Sequence, residues 1–119
     1  MKLYHNPKCT KSREVLKYFV ANNINFEICD YMKNPLSKND LTVILRELNY
    51  RPSDLIRKSE MEYKQFVKGK GLSEDEILSL MLKYPKLIER PIVLWDGKAV
   101  VARPIEKLIS ALTNNKDLL

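Results

Sequence analysis

The chain has few side chains suited to holding a metal. It carries two cysteines, Cys9 and Cys29, and one histidine, His5. That is too few for a four-ligand zinc site, so no metal and no bound cofactor is expected. It also lacks any apolar stretch near the roughly 18 residues that a membrane helix requires. The apolar start is two residues, Leu3-Tyr4, and runs straight into His5-Asn6-Pro7-Lys8, unlike a signal peptide. A soluble cytoplasmic protein with no membrane partner is therefore expected, and in that compartment a stable disulfide is not. No internal repeat or low-complexity tract is present. No helix-turn-helix, zinc-finger or aromatic-interleaved basic motif accompanies the net charge of +6, so direct nucleic-acid binding is not expected. Fifteen scattered lysines against six arginines read first as a solvated surface. The sharper reading of the same charge is a small anionic substrate.

What remains fits one domain, residues 1–119, with 45% hydrophobic residues to build a core. Lys2 to His5 reads as a short strand. Val15, Leu16, Phe19 and Val20 make an apolar stripe on a helix from Lys11 to Ala21, closed by Asn22-Asn23. Ile24, Phe26 and Ile28 alternate with Asn25 and Glu27, predicting a strand over 24–28 with one buried face. Strand, helix and strand at this spacing predict a parallel pair. The middle of the chain, about 37–88, reads as all helix. Ser37 and Ser73 open two helices with capping boxes, Pro52 starts a short one running through Arg57, and Met61 to Val67 forms another. Strands return at Ile92 to Trp95 and Lys98 to Ala102, joined by Asp96-Gly97, a hairpin turn pair. Ile105, Leu108, Ile109 and Leu112 mark a last amphipathic helix, and Asn114 to Leu119 is expected to fray. The sum is βαβ, helices, ββα: an α/β, thioredoxin-like order with a four-stranded mixed sheet and a central helical insertion.

Cys9 stands where the first helix begins. A thiol attacks as its thiolate, and a helix N-terminus offers unpaired N–H groups and partial positive charge that favour that anion. Lys8, Lys11 and Arg13 add cations nearby, and Ser12 can donate a hydrogen bond in the first turn. The expectation is a nucleophilic Cys9 beside an anion site. Cys29, at the end of an apolar strand, reads as passive, with a resolving role toward Cys9 as the alternative. Position 12, where a Cys-x-x-Cys pair would place its second thiol, is Ser12, so an external thiol must complete any catalytic cycle. His5 either orients or deprotonates Cys9, or is a strand-end residue bonded to the backbone.

The run His5-Asn6-Pro7-Lys8-Cys9, followed by Ser12-Arg13, resembles the N-terminal signature of the glutaredoxin-coupled arsenate reductase family. Leu55-Ile56-Arg57-Lys58, Glu89-Arg90-Pro91-Ile92-Val93 and Ala102-Arg103-Pro104 are similar to its later blocks. The resemblance implies a thioredoxin-like fold and an oxidoreductase in which Cys9 attacks arsenate. It assigns Arg57, Arg90 and Arg103 to oxyanion binding, lets Ser12 and His5 assist the thiolate, and makes Pro91 a cis-proline facing the sulfur. It also implies glutathione as co-substrate and glutaredoxin as the protein that restores Cys9. Where the family has Gly-Thr after the cysteine, this chain has Thr10-Lys11, which trades a pliable loop for added charge. A sister branch of the fold, transcription regulators that bind the RNA polymerase α-subunit, resembles the chain as well and supplies the alternative function.

Overall fold

The first residues of the chain build the middle of a sheet. In the computed structural model, which describes residues 1–113, strand β1 (Lys2–His5) lies between two neighbours. The described chain forms two compact units: Met1–Tyr31 together with the chain from Arg90 onward, and Met32–Glu89. The helical insertion expected at about 37–88 falls within the second. The fraying expected for Asn114 to Leu119 lies outside the described residues. No described helix is long and apolar enough to cross a membrane.

In the first unit, β1 is followed by α1 (Thr10–Ala21), β2 (Glu27–Asp30), β3 (Ile92–Trp95) and β4 (Lys98–Val101). The sheet order is β2-β1-β3-β4. Strands β1 and β2 run parallel, with Leu3 opposite Ile28, and β3 lies antiparallel to β1, with Leu3 opposite Val93. The architecture is the expected mixed α/β, thioredoxin-like one. Leu3, Tyr4 and His5 are all buried, as suits a central strand covered on both faces. One core cluster unites Leu3, Val15, Phe19, Val93, Trp95, Ala102, Leu108 and Leu112. Its last two members come from the final helix (Glu106–Thr113).

The predicted strand over 24–28 is corrected: β2 starts three residues later, and Ile28 is exposed. The cause is the way α1 ends. Ile24 N–H donates to Phe19 O (3.0 Å) and Asn23 N–H to Val20 O (3.3 Å), the pair of bonds of a Schellman motif with Asn23 at φ 53°. That commits the Ile24 amide to the helix, so it cannot join a ladder. Ile24 and Phe26 still pack on the core, and the Phe26 ring lies 4.9 Å from that of Phe19. The alternation read as one strand face was a helix stop followed by an edge strand. Asn49 ends a helix of the second unit in the same way, at φ 58°. All three glycines of the chain, Gly69, Gly71 and Gly97, also take positive φ, so asparagine serves at left-handed positions that glycine commonly fills. Asp96 and Gly97, at φ 41° and 70°, form the two-residue turn between β3 and β4.

The second unit contains α2 (Lys38–Leu48), α3 (Pro52–Leu55), α4 (Met61–Phe66), α5 (Glu74–Lys83) and a 3-10 turn (Pro85–Leu87). Both predicted capping boxes are present: Ser37 accepts from Asp40 N–H and Ser73 from Glu76 N–H, with each acidic side chain answering. Ser53 N–H and hydroxyl both donate to Glu74, fastening α3 to the start of α5. Two expectations are corrected. The short helix stops at Leu55 and does not reach Arg57, and the region is not all helix, because Ile56 pairs with Ile88 as an isolated antiparallel bridge. Arg57 N–H donates to Leu87 O (2.7 Å) and Glu89 N–H to Leu55 O (3.0 Å). These non-local bonds draw the 55–57 segment out of helical geometry.

Phe19 is fully buried in the core, whereas its neighbour Val20 is 64% exposed. Phe19→Ala is expected to lower unfolding free energy in urea by about 3–5 kcal/mol, while Val20→Ala should stay within about 0.5 kcal/mol of the parent.

Candidate active site

The loop after β1 is short and fully tied. Cys9 N–H donates to Asn6 O (2.9 Å), which closes a turn around Pro7-Lys8. Lys8 N–H donates to Asn6 Oδ1 (3.1 Å), and Asn6 N–H to the Ser12 hydroxyl (3.4 Å). Cys9 is thereby set as the N-cap of α1, in extended conformation at φ −93° and ψ 124°. Its own carbonyl accepts the first helical bond, from Arg13 N–H (3.1 Å).

The sulfur is partly exposed, and its environment decides its charge. Burial pushes the thiol up. The N–H groups of Ser12 and Lys11, then the Arg103 and Arg90 side chains, more than offset this and bring it down to about 7. The sulfur makes no capping bond in the strict geometric sense, but those N–H dipoles act on it all the same. Arg103 Nη1 lies 3.7 Å from Cys9 Sγ and also donates to Arg90 O (3.2 Å). Because the folded pKa lies below the unfolded one, the ionised sulfur stabilises the fold fully above the unfolded thiol value. That contribution fades as the pH falls through about 7.

Sheet register explains how residues so far apart in sequence meet. Tyr4 faces Ile92 across the β1–β3 ladder, and Ile92 faces Val101 across β3–β4. The end of β1, the start of β3 and the end of β4 therefore share one edge of the sheet. Arg90 and Arg103 sit just beyond that edge, next to the Cys9 loop. Both Arg–Pro bonds, Arg90–Pro91 and Arg103–Pro104, are cis, and Ala102 N–H donates to Pro91 O (2.9 Å). The cis bond at Pro91 is the one the resemblance implies; that at Pro104 had no separate signal in the sequence beyond its own Arg–Pro pair.

Cys9, Ser12, Arg90 and Arg103 thus come together. Several finer expectations change. Lys11 pairs with Glu14 (3.7 Å), and Arg13 bonds Pro7 O and Thr10 Oγ1 (both 3.3 Å), so these two of the three flanking cations are engaged away from the sulfur. These cations are committed to partners of their own, and the cationic charge that reaches Cys9 comes instead from Arg103 and Arg90. Ser12 is fully buried, and its hydroxyl accepts from the Asn6 amide, a different task from the donation expected. His5 is buried opposite Asp30. Its pKa is lowered, chiefly by burial, with Asp30 opposing and Arg13 reinforcing, so the ring is neutral at pH 7. Its Nδ1 makes no hydrogen bond. Arg57 belongs to the second unit, where its Nε lies 3.3 Å from Glu60 and its Nη1 3.8 Å from Glu89. Those two carboxylates were not foreseen. Cys29 is half-buried on β2, opposite Tyr4, and forms no disulfide among the described residues. Asn6, 6% exposed, was passed over as a functional residue, although an Asn-Pro pair before the cysteine is a turn signal. A cavity of about 460 Å³ lined in part by Met1, Ile24, Trp95 and Leu112 lies at the opposite end of the sheet and includes none of these groups.

An acidified cysteine at the first helix of a thioredoxin-like sheet is the apparatus of thiol redox chemistry, and known proteins place the chain within that class. It belongs to the ArsC family, whose model matches residues 4–119. It is 37% identical over 111 residues to the uncharacterized protein YfgD of Escherichia coli K12, covering 92% of this chain and 93% of that one. It is 33% identical over 114 residues to an arsenate reductase of Neisseria meningitidis, covering 94% and 97%. Among solved structures it matches a putative arsenate reductase from Yersinia pestis (38% identity) and an arsenate reductase from Vibrio cholerae (34%). Each has a TM-score of 0.85 and covers 92% of this chain and 97% of the other. With such relatives along nearly its whole length, the chain is an oxidoreductase.

Removing the Arg103 guanidinium takes away one of the groups that lower the thiol. Ultraviolet titration of the thiolate is expected to move the midpoint of Cys9 upward from about 7 in Arg103→Ala. Arg13→Ala, whose side chain is committed to Pro7 and Thr10, should leave it in place.

Proposed function

We propose that the chain reduces arsenate through Cys9, with glutathione as co-substrate and glutaredoxin restoring the free enzyme. The observation that carries this reading is the Cys9 sulfur, half-ionised near pH 7, with Arg103 Nη1 3.7 Å away. A nucleophile and an anion-binding guanidinium share one small space. The relatives named arsenate reductase support the substrate.

The chemistry follows from the groups present. The thiolate attacks arsenic(V), a sulfur–arsenic bond forms, and one arsenate oxygen leaves as water. Arg90 and Arg103 hold the remaining oxygens, for which the guanidinium fork is well shaped. Glutathione then attacks the Cys9 sulfur. The sulfur–arsenic electron pair stays on arsenic, which departs as arsenite, and Cys9 is left in a mixed disulfide with glutathione. A glutaredoxin thiol takes up the glutathione and frees Cys9. Ser12, at the position of a second active-site cysteine, cannot supply that thiol, and this need fits the reducing cytoplasm. Arg57, as a third oxyanion arginine, and His5, as a helper of the thiolate, enter this reading on the family resemblance alone.

Arsenite formation in the presence of arsenate, glutathione and glutaredoxin tests the proposal. The parent protein is expected to turn over and Cys9→Ser to be inactive. Arg90→Ala should lose about a hundredfold or more in kcat/KM. The rate should rise with pH to a plateau above about 7, as the thiolate forms. Parent protein that makes no arsenite while Cys9 titrates near 7 would overturn arsenate as the substrate.

A further inference from the structure

Asn6 touches no reacting atom, yet three of its polar groups are engaged in the loop. Its carbonyl takes the Cys9 amide (2.9 Å), its side-chain oxygen takes the Lys8 amide (3.1 Å), and its own amide goes to the buried Ser12 hydroxyl (3.4 Å). The residue is 6% exposed and Ser12 is fully buried, so these bonds are shielded from competing water. They join the end of β1, the turn and the first turn of α1. We propose that Asn6 is a positioning residue for the thiolate: its side chain, working with the Ser12 hydroxyl, fixes the turn so that the Cys9 sulfur stays over the first amides of α1.

A helix N-terminus favours an anion only when the anion sits on the axis of its free N–H groups, and the effect fades within one turn. Cys9 is the N-cap and has extended backbone torsions, so small rotations about it swing the sulfur off that axis. Two of the three bonds that prevent this depend on side chains: the Asn6 amide oxygen and the Ser12 hydroxyl. An Asx turn of this kind gives Lys8 N–H a partner that alanine cannot provide and that serine provides more weakly. The Ser12 hydroxyl, in turn, receives the Asn6 amide, so Ser12 acts on Cys9 through its hydroxyl by way of Asn6 and through its own N–H directly.

This inference rests on Cys9 being the reactive thiol, and its test reads the sulfur itself, so it stands or falls whether or not arsenate is reduced. The thiolate midpoint of Cys9 is titrated by ultraviolet absorbance in the parent, Asn6→Ala and Asn6→Ser, each in a Cys29→Ser background, beside urea unfolding of the same proteins. In Asn6→Ala the midpoint should rise by about one pH unit, which lowers the thiolate fraction at pH 7 roughly fivefold and slows alkylation of Cys9 to match. Asn6→Ser should fall between alanine and the parent. A folded Asn6→Ala or Asn6→Ser protein that unfolds at lower urea but keeps the parent midpoint would show a structural role only and overturn the proposal. Should Asn6→Ala fail to fold, Asn6→Ser alone decides, by a midpoint raised above the parent or equal to it.

Discussion

The site depends on one electrostatic alignment: a sulfur held over the open end of a helix. Burial alone would push the Cys9 thiol up and make it inert. The first-turn amides of Ser12 and Lys11, with Arg103 and Arg90 behind them, reverse that and leave it half-ionised near neutrality. Each of these groups acts over a few ångströms, so the chemistry requires that the loop, the helix and the two arginines keep fixed positions. A turn closed by Asn6 supplies the first constraint and the sheet supplies the rest.

The sheet does this through register. Because β1 lies beside β3 and antiparallel to it, the point where the chain leaves β1 is the point where it enters β3. Hairpin pairing then returns the end of β4 to the same edge. Two Arg–Pro pairs placed just outside that edge deliver two cations to one sulfur. A slip of one residue in either ladder would turn the side chains to opposite faces and misplace both arginines. The buried cluster around Leu3, Phe19 and Val93 is what makes such a slip costly. The core is thus connected to the reactivity of Cys9 through geometry.

Much of this was legible in the chain. The βαβ and ββα segments, the Asp96-Gly97 turn and both serine capping boxes follow from local pattern and turn chemistry, which act within four or five residues. Misreadings came where a longer-range bond competed with a local pattern. Ile24, Phe26 and Ile28 alternate as a strand would, yet the end of α1 claims the Ile24 amide first. Arg57 follows a proline-opened helix, yet pairing of Ile56 with Ile88 ends that helix early. Lys11 and Arg13 are close to Cys9 in sequence, and this proximity misled, because on a helix surface they find partners of their own.

The sequence by itself singled out Cys9 as the candidate nucleophile and Ser12 as a position without a second thiol. A cysteine at a helix start and a serine three residues on are facts of spacing, and spacing sets first-turn geometry. Only the tertiary structure decided which charges tune that cysteine. Of six arginines, the two that reach it come from positions 90 and 103, and the one four residues away does not. Coulomb attraction and hydrogen bonds depend on distance in space. That distance was set by strand pairing and by a shared apolar core, contacts between segments far apart along the chain.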